Sequence, residues 1–231
     1  MTPGSKDTEH TTQAAIRTVI DQLAGLFRQQ PTAFSRGADL SSQLTTLLAE
    51  HPAFTSHTPN GPVSLVRQEY PTPFKCQMGD LRFEVLEDHA QARRGHYDLT
   101  ILNPWWVERV SSEAITNESF ELFRREIRDN AQPGAPPLCL VGIEFHLVQT
   151  ERPRLADYSR IARDYRKLLL SGSLQNDWRF MDHRYMLVFS QHSQPHEAKW
   201  RELVEASWER HVDPKNVWFF WTSPQGTRSS G

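Results

Sequence analysis

The chain has 231 residues, of which 38% are hydrophobic and 23% charged. That is enough to bury a sizeable core without disulfide staples, and it excludes collagen-like, fibrous and wholly disordered classes. Its 26 basic and 28 acidic side chains give a net charge of -2, so binding to nucleic acid through bulk charge is excluded and only a local basic groove could serve. No apolar run approaches the roughly 20 residues of a membrane helix. The opening MTPGSKDTEHTTQ lacks the basic and apolar blocks of a secretory signal. Cys76 and Cys139 are too few for a disulfide framework or a zinc cage, so a reducing cytoplasmic setting is the expectation.

Residues 1–10 and 223–231 are polar and aperiodic and read as a disordered N-terminus and a flexible tail. Between them, 11–222 reads as a single α/β domain. Ile16, Val19, Ile20, Leu23, Leu26 and Phe27 recur at helical spacing, which predicts an amphipathic helix over 12–29. Its stripe serves either the core or a protein partner, a second copy of the chain included. A second helix is expected over 38–50, with Leu40, Leu44, Leu47 and Leu48 on one face. Segment 51–62, rich in Pro, Thr, His, Asn and Gly, reads as loop. Strands are expected at 63–67, 81–86 and 97–102, then a polar surface helix over 112–130 that AQPGAPP ends.

Residues 138–148, LCLVGIEFHLV, form the strongest strand, apolar enough for a central position buried on both sides. A helix over 154–170 follows, with Tyr158, Ile161, Ala162, Tyr165, Leu168 and Leu169 facing inward and Gly172 as its stop. Strand 185–190, helix 195–211 and the aromatic strand 217–221 complete the chain. The strand–helix–strand passage 138–190 predicts a right-handed parallel crossover, after earlier strands that pair antiparallel. The fold class is therefore α/β, a mixed central sheet flanked by helices.

Two acids sit where acids are costly. Period two places Asp98 with Thr100 and Leu102 on one face of its strand, opposite Tyr97, Leu99 and Ile101. On the later strand Gly142, Glu144, His146 and Val148 share a face, with Glu144 and His146 roughly 6.5–7 Å apart. A buried carboxylate neutralises, pairs or binds a metal. If the two strands are neighbours, Asp98 and Glu144 converge, and with a backbone carbonyl they make a hard oxygen site suited to Mg²⁺ or Mn²⁺.

With Asp98 in GHYDLTIL, Glu144 in GIEFH and the following ARDYRKLL, the chain resembles the PD-(D/E)XK, restriction-endonuclease-like nuclease superfamily. The resemblance implies an αβββαβ core, here over 38–190 with 112–130 as a helical insertion, preceded by an N-terminal helix and followed by an α-β extension. It implies a Mg²⁺- or Mn²⁺-dependent phosphodiesterase acting on DNA or RNA, with Asp98, Glu144 and the Phe145 carbonyl as metal ligands. Glu69 resembles the early glutamate of many members, and Glu50 competes for that place. Asp164 and Lys167 resemble the helix signature that follows the active strand, as phosphate contact or structural support. The family's lysine is replaced by His146, which either acts as general base, serves as a ligand, or marks a module that has lost catalysis and binds nucleic acid or protein.

Blander roles stand beside these. Asp98 can pair with Arg93 or Arg94, and Glu69 can be a solvated strand-end acid. Between Glu151 and Lys167, six basic side chains outnumber three acids. They form either a phosphate-steering patch or a solvated face of i,i+3 ion pairs. Trp105 and Trp106 either stack on bases or pack against the sheet edge.

Overall fold

A computed structural model describes residues 4–59, 61–78, 83–85, 93–109, 125, 129, 135–151, 155–172, 180–192 and 217–230. Two helices come first, α1 (Gly4–Gln29) and α2 (Gly37–Ala49). A small antiparallel hairpin follows, β1 (Thr55–Thr58) with β2 (Gly61–Ser64). Then come β3 (Val66–Met78), β4 (Phe83–Val85), β5 (Arg93–Leu102), the short α3 (Pro104–Arg109) and β6 (Cys139–Val148). Helix α4 (Leu155–Ser171), β7 (Met181–Ser190), β8 (Val217–Ser223) and β9 (Gly226–Ser230) complete the order.

Seven strands form one mixed sheet in the order β4-β3-β5-β6-β7-β8-β9. β3, β5 and β6 pair antiparallel, β6, β7 and β8 parallel, and β9 closes the far edge antiparallel. α4 joins the parallel pair β6 and β7, as a crossover must. The α/β reading and the central place of β6 hold. Alternation along each strand then divides the interior. Leu99, Ile101, Val141, Ile143, Phe145, Tyr185, Leu187 and Phe189 pack with α1 and α2. Val148, Met186, Val188, Phe219 and Trp221 pack with the Tyr158, Ile161, Tyr165, Leu168 and Leu169 face of α4.

Several expectations are corrected. α1 begins at Gly4 and not at Thr12, so the polar opening continues the helix and is not disordered from 4 onward. Of the two readings of its stripe, the core one holds: Ile16, Val19, Ile20, Leu23 and Phe27 are buried in the chain's own interior, while Leu26 is 39% exposed. The segment 51–62 holds a hairpin, β1 with β2, in which Thr58 pairs with Gly61 and Gly61 takes φ 110°, a conformation glycine adopts at no steric cost. The tail over 223–230 is likewise a hairpin arm, with Thr222 facing Thr227 and Ser223 facing Gly226, and it covers the edge of β8. Tyr97 leaves the face of Leu99 and Ile101 for the α4 side, beside Tyr70, where Glu69 on β3 has φ 50° and disturbs the pleat. The helix expected over 195–211 and nearly all of that over 112–130 lie outside the described residues. No described helix is long and apolar enough to cross a membrane.

Candidate active site

The ladder between β5 and β6 pairs Ile101 with Val141, Thr100 with Gly142 and Leu99 with Ile143. Asp98 and Glu144 come next along the two strands. Glu144 meets Lys167 of α4, and the charges of Lys167, Asp164 and His146 all act on Asp98, so both acids lie on the α4 side. There the strands part. The Phe145 N–H, freed from the ladder, donates instead to Asp98 Oδ2 at 2.7 Å. On its other edge β6 stays paired with β7 from Val141 to Val148, which holds Glu144 and His146 on a fixed backbone. Gly142 beside them leaves room for the Met181 side chain, since a Cβ there would fall 2.2 Å from Met181 Sδ and push it aside.

α4 completes the cluster from above. Lys167 turns inward, with Nζ 2.7 Å from Glu144 Oε1 and 3.4 Å from Asp164 Oδ1, and donates to the His96 carbonyl at 2.6 Å. Asp164 Oδ2 lies 3.1 Å from His146 Nε2. Lys167 is 6% exposed and Glu144 1%. Two carboxylates, Glu144 and Asp164, share the Lys167 ammonium, Asp164 also meets His146, and Asp98 lies beside them on the Phe145 N–H.

Its electrostatics follow. Burial pushes the Glu144 carboxyl well above its ordinary range, Lys167 opposes the shift, and the neighbouring Asp98 and Asp164 charges add to it. Burial also raises Asp98, against the Phe145 N–H and Lys167. Asp164 goes the other way. Burial would raise it, but the His146 hydrogen bond and the Lys167 charge outweigh that and hold it at about 2. Burial would likewise lower Lys167, yet Glu144 and Asp164 hold its ammonium above the usual lysine range. The interior here is short of positive charge.

The end of α4 is pinned so that Lys167 arrives at this point. The Tyr97 hydroxyl bonds to Ser171 Oγ, and Ser171 Oγ donates to the Lys167 carbonyl at 2.7 Å. Arg184, 3% exposed, donates from Nη1 to the Leu168 and Leu169 carbonyls at 3.2 and 3.0 Å, capping the helix C-terminus. Gly172 makes room for that guanidinium, as a Cβ would lie 2.1 Å from Nη1.

The structure therefore gathers Asp98, Glu144, His146, Asp164 and Lys167. Of the two roles expected of Lys167, phosphate contact or structural support, the resting structure shows the second, with the ammonium turned inward onto Glu144 and Asp164. Glu69 stands opposite Asp98 on β3 but is exposed, and among the described residues it joins none of the cluster's contacts. Glu50 is exposed just past the end of α2. The Phe145 side chain lies on the α1–α2 side, and its carbonyl would sit 3.8 Å from a Cβ at Gly37. Asp98 takes a backbone N–H, and the side chains of Arg93 and Arg94 fall outside the described set.

Trp106 is core, with Nε1 donating to the Pro136 carbonyl at 2.9 Å, and the Trp105 ring is covered by Arg109 at 4.6 Å. Packing is thus what these tryptophans do. Of the basic run, Arg160 is exposed and paired with Asp157 at 3.9 Å, a solvated i,i+3 pair, while Arg152 and Arg154 lie outside the described residues. Sequence reasoning missed Tyr97, Ser171 and Arg184. The Asp164–Lys167 spacing, beside an acidic strand, was the one available signal that the lysine points inward.

No protein-family profile, curated protein or solved structure matches the chain, so the geometry of this cluster carries the functional reading.

Proposed function

We propose that the chain is a metal-dependent phosphodiesterase, a nuclease of the PD-(D/E)XK kind acting on DNA or RNA. The observation that carries this is the clustering of Asp98 and Glu144 just past the Leu99–Ile143 pair, with the Phe145 N–H 2.7 Å from Asp98 Oδ2 and an ammonium 2.7 Å from Glu144. With β4 set aside as a short edge strand and α3 as an insertion, α2, β3, β5, β6, α4 and β7 follow the α-β-β-β-α-β order of that core, which supports the same reading.

The donor chemistry fits a hard divalent cation. Asp98, Glu144 and the Phe145 carbonyl supply oxygen ligands, and the excess of carboxylates over ammonium favours added positive charge. Among the described residues no three His, Cys, Asp or Glu side chains form a ready ligand set, so two acids and a carbonyl are the set this reading requires. When bound, Mg²⁺ or Mn²⁺ would acidify a water and offset charge on the phosphoryl group.

The remaining work falls to the chain. Lys167 takes the place of the lysine that the strand lacks, reaching Glu144 from α4 where His146 occupies the strand position. Its charge counters the negative charge that builds on phosphate during attack. Asp164, ionised throughout the neutral range, accepts from His146 Nε2 and leaves Nδ1 as the basic nitrogen of the imidazole. His146 so held can take the proton of an attacking water.

A second reading has its own observation. Asp98 is satisfied by Phe145 N–H and Glu144 by Lys167, as in a purely structural network. On that reading the fold is an inactive module that binds nucleic acid or a protein partner. Cleavage of mixed single- and double-stranded DNA and RNA with Mg²⁺ or Mn²⁺ separates the two. Asp98→Asn and Glu144→Gln each lower the metal-stimulated rate by roughly a hundredfold or more while melting stays cooperative. Cleavage that persists in both variants refutes the proposal.

A further inference from the structure

Lys167 occupies a place where two demands conflict. Its Nζ lies 2.7 Å from the Oε1 of Glu144, the acid assigned to the cation, and 3.4 Å from Asp164 Oδ1. A buried carboxylate this close to an ammonium has its charge already answered. A second cation at the same oxygen meets repulsion from Lys167, and the low-dielectric surroundings strengthen it. Without a phosphate to draw it, the ammonium stays where it is. Its third contact is the His96 carbonyl at 2.6 Å, and the backbone carbonyl of the same lysine is held by Ser171 Oγ.

We infer that Lys167 is the resident counter-ion of this site, holding Glu144 against metal so that the cation and the lysine compete for one carboxylate. The inference rests on the metal reading above and adds regulation to it. The resting protein holds divalent cation weakly, and the site fills when a phosphate draws the ammonium off Glu144. Asp164 gives Lys167 an alternative partner one turn away on its own helix, so the ammonium keeps an ion pair when it leaves Glu144.

The test is calorimetric titration of Mn²⁺ into the full chain without nucleic acid. Lys167→Met keeps the side-chain length and removes the charge. It is expected to bind Mn²⁺ about tenfold tighter than the unaltered protein, or more, and to gain a larger rise in melting temperature on adding Mn²⁺. Removing the lysine leaves three carboxylates together, so the double variant Asp164→Asn with Lys167→Met, which removes one charge of each sign, keeps the comparison available if the single variant does not fold. It too is expected to bind tighter than the unaltered chain. Equal or weaker Mn²⁺ binding in these variants, with clear binding by the unaltered protein, would overturn the counter-ion role and leave the metal reading standing. Absence of binding in all three proteins would overturn both.

Discussion

Against α1 and α2 the sheet presents an almost unbroken apolar surface, with Leu99, Ile101, Val141, Ile143 and Leu187 fully buried. Against α4 the same strands present Glu144, His146 and Arg184 between apolar neighbours, and the helix answers with Asp164, Lys167 and Ser171. One strand, β6, serves both faces by alternation alone. The α1–α2 face gains from every side chain it removes from water. The α4 face takes ionised groups out of water and recovers that cost only through close pairing. A fold that needed stability alone would gain little from the second arrangement. Its presence in the middle of the sheet is the physical reason for locating chemistry there.

The contrast can be broken in two ways. Phe27 on α1 is fully buried, with ring centroids 5.0 Å from Phe189 and 5.6 Å from Phe34. Phe27→Ala is expected to cost about 3–5 kcal/mol in denaturant unfolding and to leave the Mn²⁺ affinity of the folded fraction unchanged. A changed affinity would mean that the two faces are not separable.

Asp164→Asn acts on the other face and is smaller. Asp164 is held at about 2 against an ordinary 3.8, so its contribution is complete above the unfolded value and is lost as pH falls through the folded one. The stability gap between the unaltered chain and this variant is therefore expected to be roughly 2 kcal/mol at pH 7 and to close between pH 4 and pH 2. A gap that stays constant over that range would show that Asp164 does not hold its charge through His146 and Lys167.

The long elements were legible because period and burial agreed. The Val141–Ile143–Phe145 face of β6, the inward face of α4 and the stripe of α1 apart from Leu26 pack as their spacing required. Asp98 and Glu144 were legible as a pair for the same reason: acids in strongly apolar strands stand out. Polar or proline-bearing structure was harder. β3 runs through Pro71 and Pro73 with a register shift between Pro71 and Lys75, a pattern that hides a strand. α3 carried a readable start, Asn103 accepting from the Trp105 N–H at 3.0 Å ahead of Pro104 in the first turn, which the adjacent tryptophans obscured. The inward turn of Lys167 was hidden for another reason. The direction of a long side chain at the border of a helix stripe depends on which charge waits across the interface, and only the register of β5 and β6 brings Glu144 there.

Anomalous diffraction from a crystal soaked in Mn²⁺ together with a short oligonucleotide, whose phosphate draws Lys167 aside, tests most directly whether Asp98 and Glu144 share a cation. The account predicts one manganese peak between the two carboxylates, with the Phe145 carbonyl among its ligands and the Lys167 ammonium displaced from Glu144. A density map in which Lys167 still holds Glu144, Asp98 still holds the Phe145 N–H, and manganese lies elsewhere or nowhere would contradict it.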